Sequence, residues 1–346
     1  MANPADFHLS FPAGRRYLSA AGEEKDIAMP EAEPVQPSAI PPVPMSLYDG
    51  DFAAFSRKLG AAFERYGFAV LGGHGIDPAL LARVDAATRA FFALPEDVKL
   101  ACHRKDQGGA RGYTPFGVET AKGHSAHDLK AFYHVGRDLP AGHAYRDHMA
   151  DNIWPAEVAD FHAATYELYE TLDTLGKKVL RAIAVYLGLD REFFTPLVAD
   201  GNSVLRLLYY PPVNQPGGSV RAGAHGDINV ITLLLGAEEP GLQLLDRDGQ
   251  WLPITPPADC IVCNIGDMLS RLTNGVLPST QHRVINPAEA RRDFARYSTP
   301  FFLHFESPYL IETLPGCISA DRPDQFPEPI TAYDFLMRRL REIKLA

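Results

Sequence analysis

The stretch "VRAGAHGDINVITLLLG", residues 220–236, places His225 and Asp227 one residue apart, just before the apolar run from Val230 to Leu235. Short apolar runs bounded by turn residues are typical of buried β-strands. In an extended segment, residues i and i+2 project from the same face with Cα atoms roughly 7 Å apart. The imidazole and the carboxylate can therefore lean toward one point. Alone, such a pair is more often a hydrogen-bonded turn, so a metal site requires more ligands.

The chain around this stretch changes character near Asp200. Beyond that residue, short segments rich in Val, Ile, Leu, Phe and Tyr alternate with Pro, Gly and Asn, as in "VLRLLYYPP", "DCIVCNIGD" and "RYSTPFFLHF". Short strands at such spacing predict a β-sandwich or barrel. The first half is mainly helical in pattern. We therefore predict a mixed α/β (α+β) fold in which helices surround an all-β centre.

Helical periodicity predicts a helix at residues 51–66, a second from Asp77 to just before Pro95, and a long one at residues 155–187. Asp77 is a suitable N-cap, since its side chain can accept a hydrogen bond from the first turn. A closing helix is predicted to begin at Thr331, with an acidic residue three positions on, as in a capping box.

Composition and net charge limit the partners and the cellular location that are expected for the chain. The chain has 346 residues, 46% of them hydrophobic, and a formal net charge of −10. That charge disfavours nucleic acid and anionic membranes as partners, so a small molecule is the expected partner; oligomeric state stays open. Four scattered cysteines predict a reducing, cytoplasmic location, and no signal peptide or membrane span is indicated. Cys260 and Cys263 lie within an apolar run and are predicted to be buried strand residues rather than a zinc or redox pair.

A third candidate ligand is His282, in "LPSTQHRVINP" on another predicted strand. Two histidines and one carboxylate can occupy one face of an octahedral Fe(II) and leave three positions open. Open positions indicate catalysis rather than a structural metal site. Further along, Arg296 and Ser298 form another i, i+2 pair. An arginine fork binds a carboxylate with two hydrogen bonds, so this pair suggests a dicarboxylate cosubstrate.

With these residues in place, the chain resembles the iron- and 2-oxoglutarate-dependent dioxygenases of the isopenicillin N synthase-like family, which includes plant flavonoid, gibberellin and ethylene-forming oxidases. The resemblance extends from about Pro41 to the C-terminus. Its first half rests on "FERYGFAVLGGHGI", "FFALPEDVK", "RGYTPFGVE" and "DLKAFYHVG". Its second half rests on "LRLLYYPP", "AHGD", "GLQLLDRDGQWLPITP", "NIGDMLSRLTNG", "STQHRVINP" and "RYSTPFFLHF".

The resemblance implies a double-stranded β-helix, or jelly roll, and a catalytic iron held by His225, Asp227 and His282. It further implies that Arg296 and Ser298 hold the distal carboxylate of 2-oxoglutarate and that a tyrosine of "YYPP" adds a hydroxyl to it; the implied tyrosine is Tyr210. With O2 as the other cosubstrate, the reaction would hydroxylate, desaturate or cyclise a small organic substrate and release succinate and CO2.

The resemblance also implies substrate contacts, because relatives line the substrate mouth at the positions of Tyr113, Phe116, Lys130 and Phe132. One residue departs from the pattern. Plant members often have Asn where this chain has Leu208, so one polar contact to the cosubstrate is expected to be missing. The connection from His282 to Arg296 is also longer than in plant members.

The implied organisation has four parts: an N-terminal arm at residues 1–40, a mainly helical region at 41–200, a jelly-roll dioxygenase domain at 201–320 and a closing helix at 321–346. Two alternative functions stay open at this point. One is a related iron oxidase that does not use 2-oxoglutarate, and the other is a non-catalytic jelly-roll protein that binds a metal. The Arg296 and Ser298 pair disfavours both, since neither needs a carboxylate clamp.

Overall fold

The computed structural model describes residues 40–105, 109–118, 130–212, 221–236, 241–257, 259–286 and 294–342, with two short segments at 17–18 and 24–25. Most of the predicted arm at residues 1–40 therefore lies outside the described residues. The two segments within it pair as antiparallel two-residue strands. The division of the chain into four parts stays a prediction.

Seven α-helices are described, and three of them have a side-chain cap; two of these caps, Asp77 and Thr331, were predicted from the sequence. Their bounds are α1 (Ser46–Gly50), α2 (Phe52–Tyr66), α3 (Pro78–Phe92), α4 (Glu96–Leu100), α5 (Phe161–Tyr186), α6 (Asp267–Leu272) and α7 (Ala332–Glu342). Short 3-10 turns lie at Arg146–His148, Pro196–Val198 and Pro315–Cys317. The cap side chains are Asp51, which accepts from the Ala54 amide, Asp77, which accepts from the Ala79 amide, and Thr331, which accepts from the Asp334 amide.

The long helix α5 differs from its predicted start at residue 155, because residues 156–160 form turns and bends and the helix begins at Phe161. The carboxylate of Asp160, at the N-cap position, makes no capping bond. It accepts two hydrogen bonds from Arg83 at 2.8 and 3.0 Å instead. The Asp160 carboxylate, which could otherwise cap α5, thus forms an ion pair with Arg83 of α3.

Sixteen strands lie within the described residues: β1 (Tyr17–Leu18), β2 (Glu24–Lys25), β3 (Val43–Pro44), β4 (Phe68–Gly72), β5 (Gly112–Thr114), β6 (Ala131–Gly136), β7 (Val204–Tyr210), β8 (Ala222–His225), β9 (Ile231–Leu235), β10 (Leu242–Leu245), β11 (Trp251–Pro253), β12 (Cys260–Ile265), β13 (His282–Val284), β14 (Arg296–Leu303), β15 (Leu310–Ile311) and β16 (Ile330–Thr331). The main sheet has the order β3-β4-β12-β9-β14-β7-β6-β5, and a second sheet has the order β11-β10-β13-β8. This is the predicted mixed fold, with helices around a β centre.

The main sheet is covered on both faces, which explains its nearly continuous apolar strands. Alternate residues of β7, Leu205 and Leu207, belong to a core that they share with α2, α3 and α5. On the opposite face, residues of β4 and β12 pack against apolar residues of the second sheet. Cys263 belongs to the first core and Cys260 to the second, and both are free and buried, as predicted. Within the described residues, none of the helices combines the length and apolarity needed to cross a membrane.

Candidate active site

The two sheets bring the three predicted metal ligands together. His225 is the last residue of β8 and His282 the first of β13, and the two residues pair directly in the antiparallel register. Asp227 follows β8 by two residues, and its backbone carbonyl accepts a hydrogen bond of 2.7 Å from the Asp267 amide at the start of α6. Strand pairing therefore fixes the two imidazoles, and the beginning of a helix fixes the loop that presents the carboxylate.

The ligand atoms of these three side chains face one another. The Asp227 Oδ1 atom lies 3.9 Å from Nε2 of His225 and 3.7 Å from Nε2 of His282. One ligand atom from each residue lies within 4.8 Å of the other two. Such separations suit three donors around one ion, since iron ligands bind at about 2 Å and adjacent ligands in an octahedron are about 3 Å apart. The donor set therefore fits Fe(II) with only small rotations of the side chains.

The atoms that face away from the centre are held by other groups. The second carboxylate oxygen of Asp227, Oδ2, accepts hydrogen bonds from Thr232 Oγ1 at 2.5 Å and from Asn264 Nδ2 at 2.7 Å. His225 places Nδ1 2.7 Å from the Gly223 carbonyl, and His282 places Nδ1 3.3 Å from the Thr280 carbonyl. A carbonyl only accepts, so each Nδ1 carries the proton and each Nε2 keeps its lone pair for a metal.

Electrostatics favour a neutral His225 and an ionised Asp227. Burial, reinforced by the neighbouring His282, lowers the pKa of His225 to about 4, which keeps its imidazole neutral near pH 7. Burial alone would raise the pKa of the Asp227 carboxyl. The two histidines and the hydrogen bonds from Asn264 and Thr232 outweigh that effect, and its pKa lies below the ordinary value. Neutral imidazoles and an ionised carboxylate are the forms that bind a divalent cation.

The predicted carboxylate clamp lies on β14 of the main sheet. Arg296 and Ser298 are buried, with 2% and 4% of their surfaces exposed, and Arg296 Nη1 lies 3.5 Å from Ser298 Oγ. In the adjacent strand, Tyr210 pairs with Arg296, and its ring centroid lies 5.4 Å from the guanidinium carbon. Leu208 pairs with Ser298. The clamp therefore consists of one buried cation with two hydroxyl-bearing neighbours on the same face.

The triad and the clamp line one cavity between the two sheets. The cavity has an empty volume of about 610 Å³, its open mouth included, which is a usual size for a site that binds small molecules. Its wall contains all three candidate metal ligands, the three residues of the clamp, the two hydrogen-bond donors to Asp227, and Lys130 and Arg206. Apolar side chains complete the wall, among them Phe68, Leu208, Leu234 and Phe302.

The four predicted substrate contacts divide into two groups. Lys130 lines the cavity, and Phe132 packs with Leu208 and Tyr210, which also line it. Tyr113 is fully buried in the helical core, where its hydroxyl donates to Glu96 Oε1 at 3.1 Å. Phe116 is 42% exposed, and its ring lies 6.0 Å from that of Tyr209. In the described structure the last two residues are not part of the cavity wall, and their contact with substrate stays a prediction.

Four residues of the site were not singled out in the sequence: Thr232, Asn264, His134 and Arg206. Thr232 and Asn264 orient Asp227, as described above. Each of the four is a polar residue inside an otherwise apolar strand, in "VITLLL", "CIVCNI", "AFYHVG" and "VLRLLYY". A polar side chain on a buried strand is an informative exception to hydrophobic patterning, and that signal could have identified them.

Comparison with known proteins identifies the family to which the chain belongs. Residues 40–157 match a family model described as the N-terminal region of non-haem dioxygenase in morphine synthesis. Residues 201–305 match the model of the 2OG-Fe(II) oxygenase superfamily. The second match contains all three candidate metal ligands and the clamp. A metal-dependent oxygenase is therefore the class of protein that the fold and the site define.

Individual relatives cover nearly the whole chain. A 2-oxoglutarate-Fe(II) type oxidoreductase from Emericella nidulans is 35% identical over 315 residues, which are 87% of this chain and 89% of the relative. A crystal structure of a 2OG-Fe(II) oxygenase family protein from Caulobacter crescentus is 61% identical, has a TM-score of 0.84, and is matched over 88% of this chain and 99% of that one. A Neurospora crassa protein solved with alpha-KG (2-oxoglutarate) and thymine is 31% identical, with a TM-score of 0.78 and coverage of 87% and 96%.

The chain belongs to the 2-oxoglutarate- and Fe(II)-dependent oxygenase family, in its isopenicillin N synthase-like branch. It is an enzyme that uses Fe(II), 2-oxoglutarate and O2 to oxidise a small organic substrate, with release of succinate and CO2. The prediction of class and cofactors from the sequence is thus confirmed, and both alternative functions fall away.

Proposed function

We propose that His225, Asp227 and His282 are the catalytic iron ligands, and that Arg296, Ser298 and Tyr210 hold the distal carboxylate of 2-oxoglutarate. The observation that supports this most is that the triad and the clamp open onto one cavity from opposite sheets. A dicarboxylate can then meet the metal at one end and the guanidinium at the other. When bound, iron and 2-oxoglutarate supply the oxidation of a C–H bond of the substrate.

The protein's own residues prepare that site. Thr232 and Asn264 hold Oδ2 of Asp227, which leaves Oδ1 directed toward the two imidazoles. Arg296 supplies a buried positive charge for the far carboxylate, and Ser298 and Tyr210 supply hydroxyl donors beside it. The apolar wall excludes water, which strengthens each of these electrostatic contacts.

We further propose that the two sheets form the double-stranded β-helix of this family, with strands β7 to β14 as its core. The strand orders of the main and second sheets support this, because β8, β13 and β10 pair with one another in one sheet and β12, β9, β14 and β7 in the other. The jelly-roll domain at 201–320, the helical region at 41–200 and the closing helix at 321–346 are kept as proposed boundaries.

For the substrate, we propose a small organic molecule that contacts Lys130 and Phe132, with Tyr113 and Phe116 retained as predicted contacts. The thymine bound by the Neurospora relative supports a small ring-sized substrate. Partners beyond small molecules are not expected from the net charge of −10. A cytoplasmic location remains a proposal, which the four free cysteines support.

The test of the proposed function is cosubstrate binding without oxygen. Purified protein receives one equivalent of Fe(II) under nitrogen and is then titrated with 2-oxoglutarate while the metal-to-ligand absorption is recorded. Glutarate, which has the same distal carboxylate but no 2-oxo group, is the control: it should compete with 2-oxoglutarate and produce no absorption. Oxygen and a library of small molecules are then added, and succinate is measured. Failure of 2-oxoglutarate to bind at the iron would contradict the proposal.

A further inference from the structure

The loop that carries the proposed iron ligand Asp227 is held by the beginning of helix α6. The Asp267 amide donates to the Asp227 carbonyl at 2.7 Å. The preceding amide, of Gly266, donates to the Val230 carbonyl at 2.9 Å. Two consecutive amides therefore fix the backbone from the carboxylate ligand to the start of β9, and a displacement of α6 would displace that ligand.

The side chain of Asp267 reaches the turn between the first two ligands. A Cβ atom placed on Gly226 would lie 3.3 Å from Asp267 Oδ1 and 3.0 Å from Ser279 Oγ. Ser279 begins the loop that leads to His282, and His282 Nδ1 lies 3.3 Å from the Thr280 carbonyl of that loop. Asp267 thus lies where the segments that present all three proposed ligands come together.

The other oxygen of the same carboxylate binds the closing helix α7. Arg339 Nη2 lies 3.0 Å from Asp267 Oδ2, and each of the two side chains is 24% exposed. Arg339 also binds Glu342 Oε2 through Nη1, at 2.9 Å. Salt screens a partly buried pair less than a pair on the surface, and the planar guanidinium favours one geometry. One carboxylate therefore connects α7 to the turn that presents two iron ligands.

Helix α7 has a second attachment at its beginning. The Tyr333 amide donates to the Ser307 carbonyl at 3.0 Å, and Phe335 and Leu336 pack against the core beneath the main sheet. Arg339 lies six residues beyond Tyr333, which is about 9 Å along the helix. The first attachment places the helix on the protein. The ion pair with Asp267 joins its far end to the iron site.

We propose that Asp267 and Arg339 are positioning residues for the iron ligands, and that docking of helix α7 and binding of iron are therefore coupled. This inference rests on the proposed function, because it takes His225, Asp227 and His282 as the ligands. Coupling between two sites is reciprocal. If the docked helix raises the affinity for iron, bound iron must stabilise the docked helix by the same factor. An ion pair that only supports the fold would show no dependence on the metal.

The first experiment measures iron affinity by anaerobic competition between the protein and a chromogenic chelator for Fe(II). Asp267→Asn should lower the affinity by about 10-fold, as for other groups that orient metal ligands. Arg339→Gln acts through Asp267 and should lower it by about 3- to 10-fold, and Arg339→Lys should recover part of that loss. Wild-type affinity in Arg339→Gln would overturn the inference.

A matched control lies on the same helix. The side chain of Arg338 is 69% exposed, and its Nε lies 3.9 Å from Glu342 Oε1. Arg338→Gln therefore removes an arginine from α7 without touching Asp267, and it should bind iron as the wild type does. An equal loss of iron affinity in Arg338→Gln and Arg339→Gln would mean that the charge of the helix matters and the contact with Asp267 does not, which overturns the inference.

A double-mutant cycle tests whether Arg339 acts through Asp267. Substitutions at two residues in contact are non-additive when they remove the same interaction. In the Asp267→Asn background, Arg339→Gln should therefore cause no further loss of iron affinity. Fully additive losses would show that the two residues act independently, and the assignment of Arg339 as a positioning residue would be wrong.

Amide hydrogen exchange tests the reciprocal half of the coupling. In the wild type, Fe(II) should slow exchange in residues 332–342 by about the factor by which Arg339→Gln lowers iron affinity. In Arg339→Gln, Fe(II) should slow exchange in these residues much less. Exchange in α7 of the wild type that does not change when Fe(II) is added would overturn the coupling, whatever the affinities are.

The two proposals fail separately. If the wild type holds no Fe(II) against the chelator, or if His225→Ala holds it equally well, the proposed function is wrong. If the wild type binds Fe(II) at the triad and Arg339→Gln binds it equally tightly, only the present inference is wrong. Melting temperatures without metal show which variants fold. If Asp267→Asn does not fold, Arg339→Gln and its control Arg338→Gln decide the question, by iron affinity and by hydrogen exchange.

Discussion

Two regions of the cavity can be compared: the metal end, formed by His225, Asp227 and His282, and the Arg206 wall, where Arg206 contacts His134. Both are built on β-strands, but they differ in how far apart in sequence their interacting residues lie. At the metal end, His225 and Asp227 are separated by one residue, and a single turn presents both. At the other wall, the key pair is Arg206 with His134, which strand pairing between β6 and β7 brings together from 72 residues apart. Local spacing reveals the first arrangement, and only the fold reveals the second.

This difference has a chemical counterpart. The metal end needs a fixed donor set, since any oxidation by Fe(II) requires the same open coordination face. The wall that contains Arg206 lies apart from the metal ligands, and a scaffold can change such residues without changing the reaction. Substitutions at different positions in the cavity should therefore differ in their effects on turnover, iron affinity and 2-oxoglutarate affinity.

The largest effect is expected at the triad. His225→Ala, Asp227→Ala and His282→Ala should each abolish turnover, because two remaining ligands cannot hold the ion on one face of its coordination sphere. Metal analysis should find less than one iron per chain, and circular dichroism should match the wild type. If all three variants retain activity with added iron, the assignment of the metal end is wrong.

A smaller loss is expected at the clamp. Arg296→Ala should weaken 2-oxoglutarate binding by about 10- to 100-fold, since a hydrogen bond to a charged group contributes about 1.5–3 kcal/mol. Arg296→Lys keeps the charge without the fork and should lie between, and Ser298→Ala should cost less because it removes one neutral donor. Anaerobic titration of the absorption band gives each affinity. Binding by Arg296→Ala at the wild-type level would move the cosubstrate carboxylate elsewhere in the cavity.

Loss of one hydrogen bond to the Asp227 carboxylate should have a smaller effect again, on the affinity for iron. Thr232→Val replaces a hydroxyl by a methyl group of the same shape and removes the hydrogen bond of 2.5 Å to Oδ2. Asn264 still donates to that oxygen, so we expect iron affinity to fall by about 10-fold, the low end of the range for residues that orient metal ligands. Competition with a chelator measures the affinity, and Thr171→Val on the exposed side of α5 is the control. An unchanged affinity would show that Asn264 alone orients the carboxylate.

Much of the fold was predictable because its signals are local. Asp77 caps α3 as predicted, and Thr331 caps α7 together with Asp334. Asp51, which was not predicted as a cap, caps α2. Apolar runs between turn residues became strands of the main sheet. The start of α5 was misplaced, since residues 156–160 form turns and bends and Asp160 at the N-cap position binds Arg83 across the fold, an interaction that no local pattern encodes. The long connection predicted between His282 and Arg296 lies largely outside the described residues.

The site residues also differ in whether local sequence or only the fold identifies them. The triad and the clamp each contain one i, i+2 pair, His225 with Asp227 and Arg296 with Ser298, and this local spacing made them candidates. His282 and Tyr210 lie far from those pairs in sequence, and Tyr210 became a candidate only through the family resemblance. Thr232 and Asn264 differ from their apolar strands in sequence, but their contact with Asp227 is seen only once β9 and β12 pair and place both beside it. For Tyr113, the family position predicts a substrate contact, and this stays a prediction. The structure places the side chain in the aromatic core against Phe91 and Phe92, a position that no local pattern indicates.

The smallest effect concerns Leu208, which lies between the two ends of the cavity and departs from the plant pattern. It is 7% exposed and packs with Phe132 and Tyr210, next to Ser298 of the clamp. Leu208→Asn would offer the cosubstrate a neutral donor worth about 1 kcal/mol, so 2-oxoglutarate should bind more tightly by less than about 10-fold. The same change removes apolar packing and should lower the melting temperature. Leu208→Ala is the control, since it loses the packing without gaining a donor. If Leu208→Asn binds 2-oxoglutarate no better than Leu208→Ala does, the cosubstrate does not reach this position.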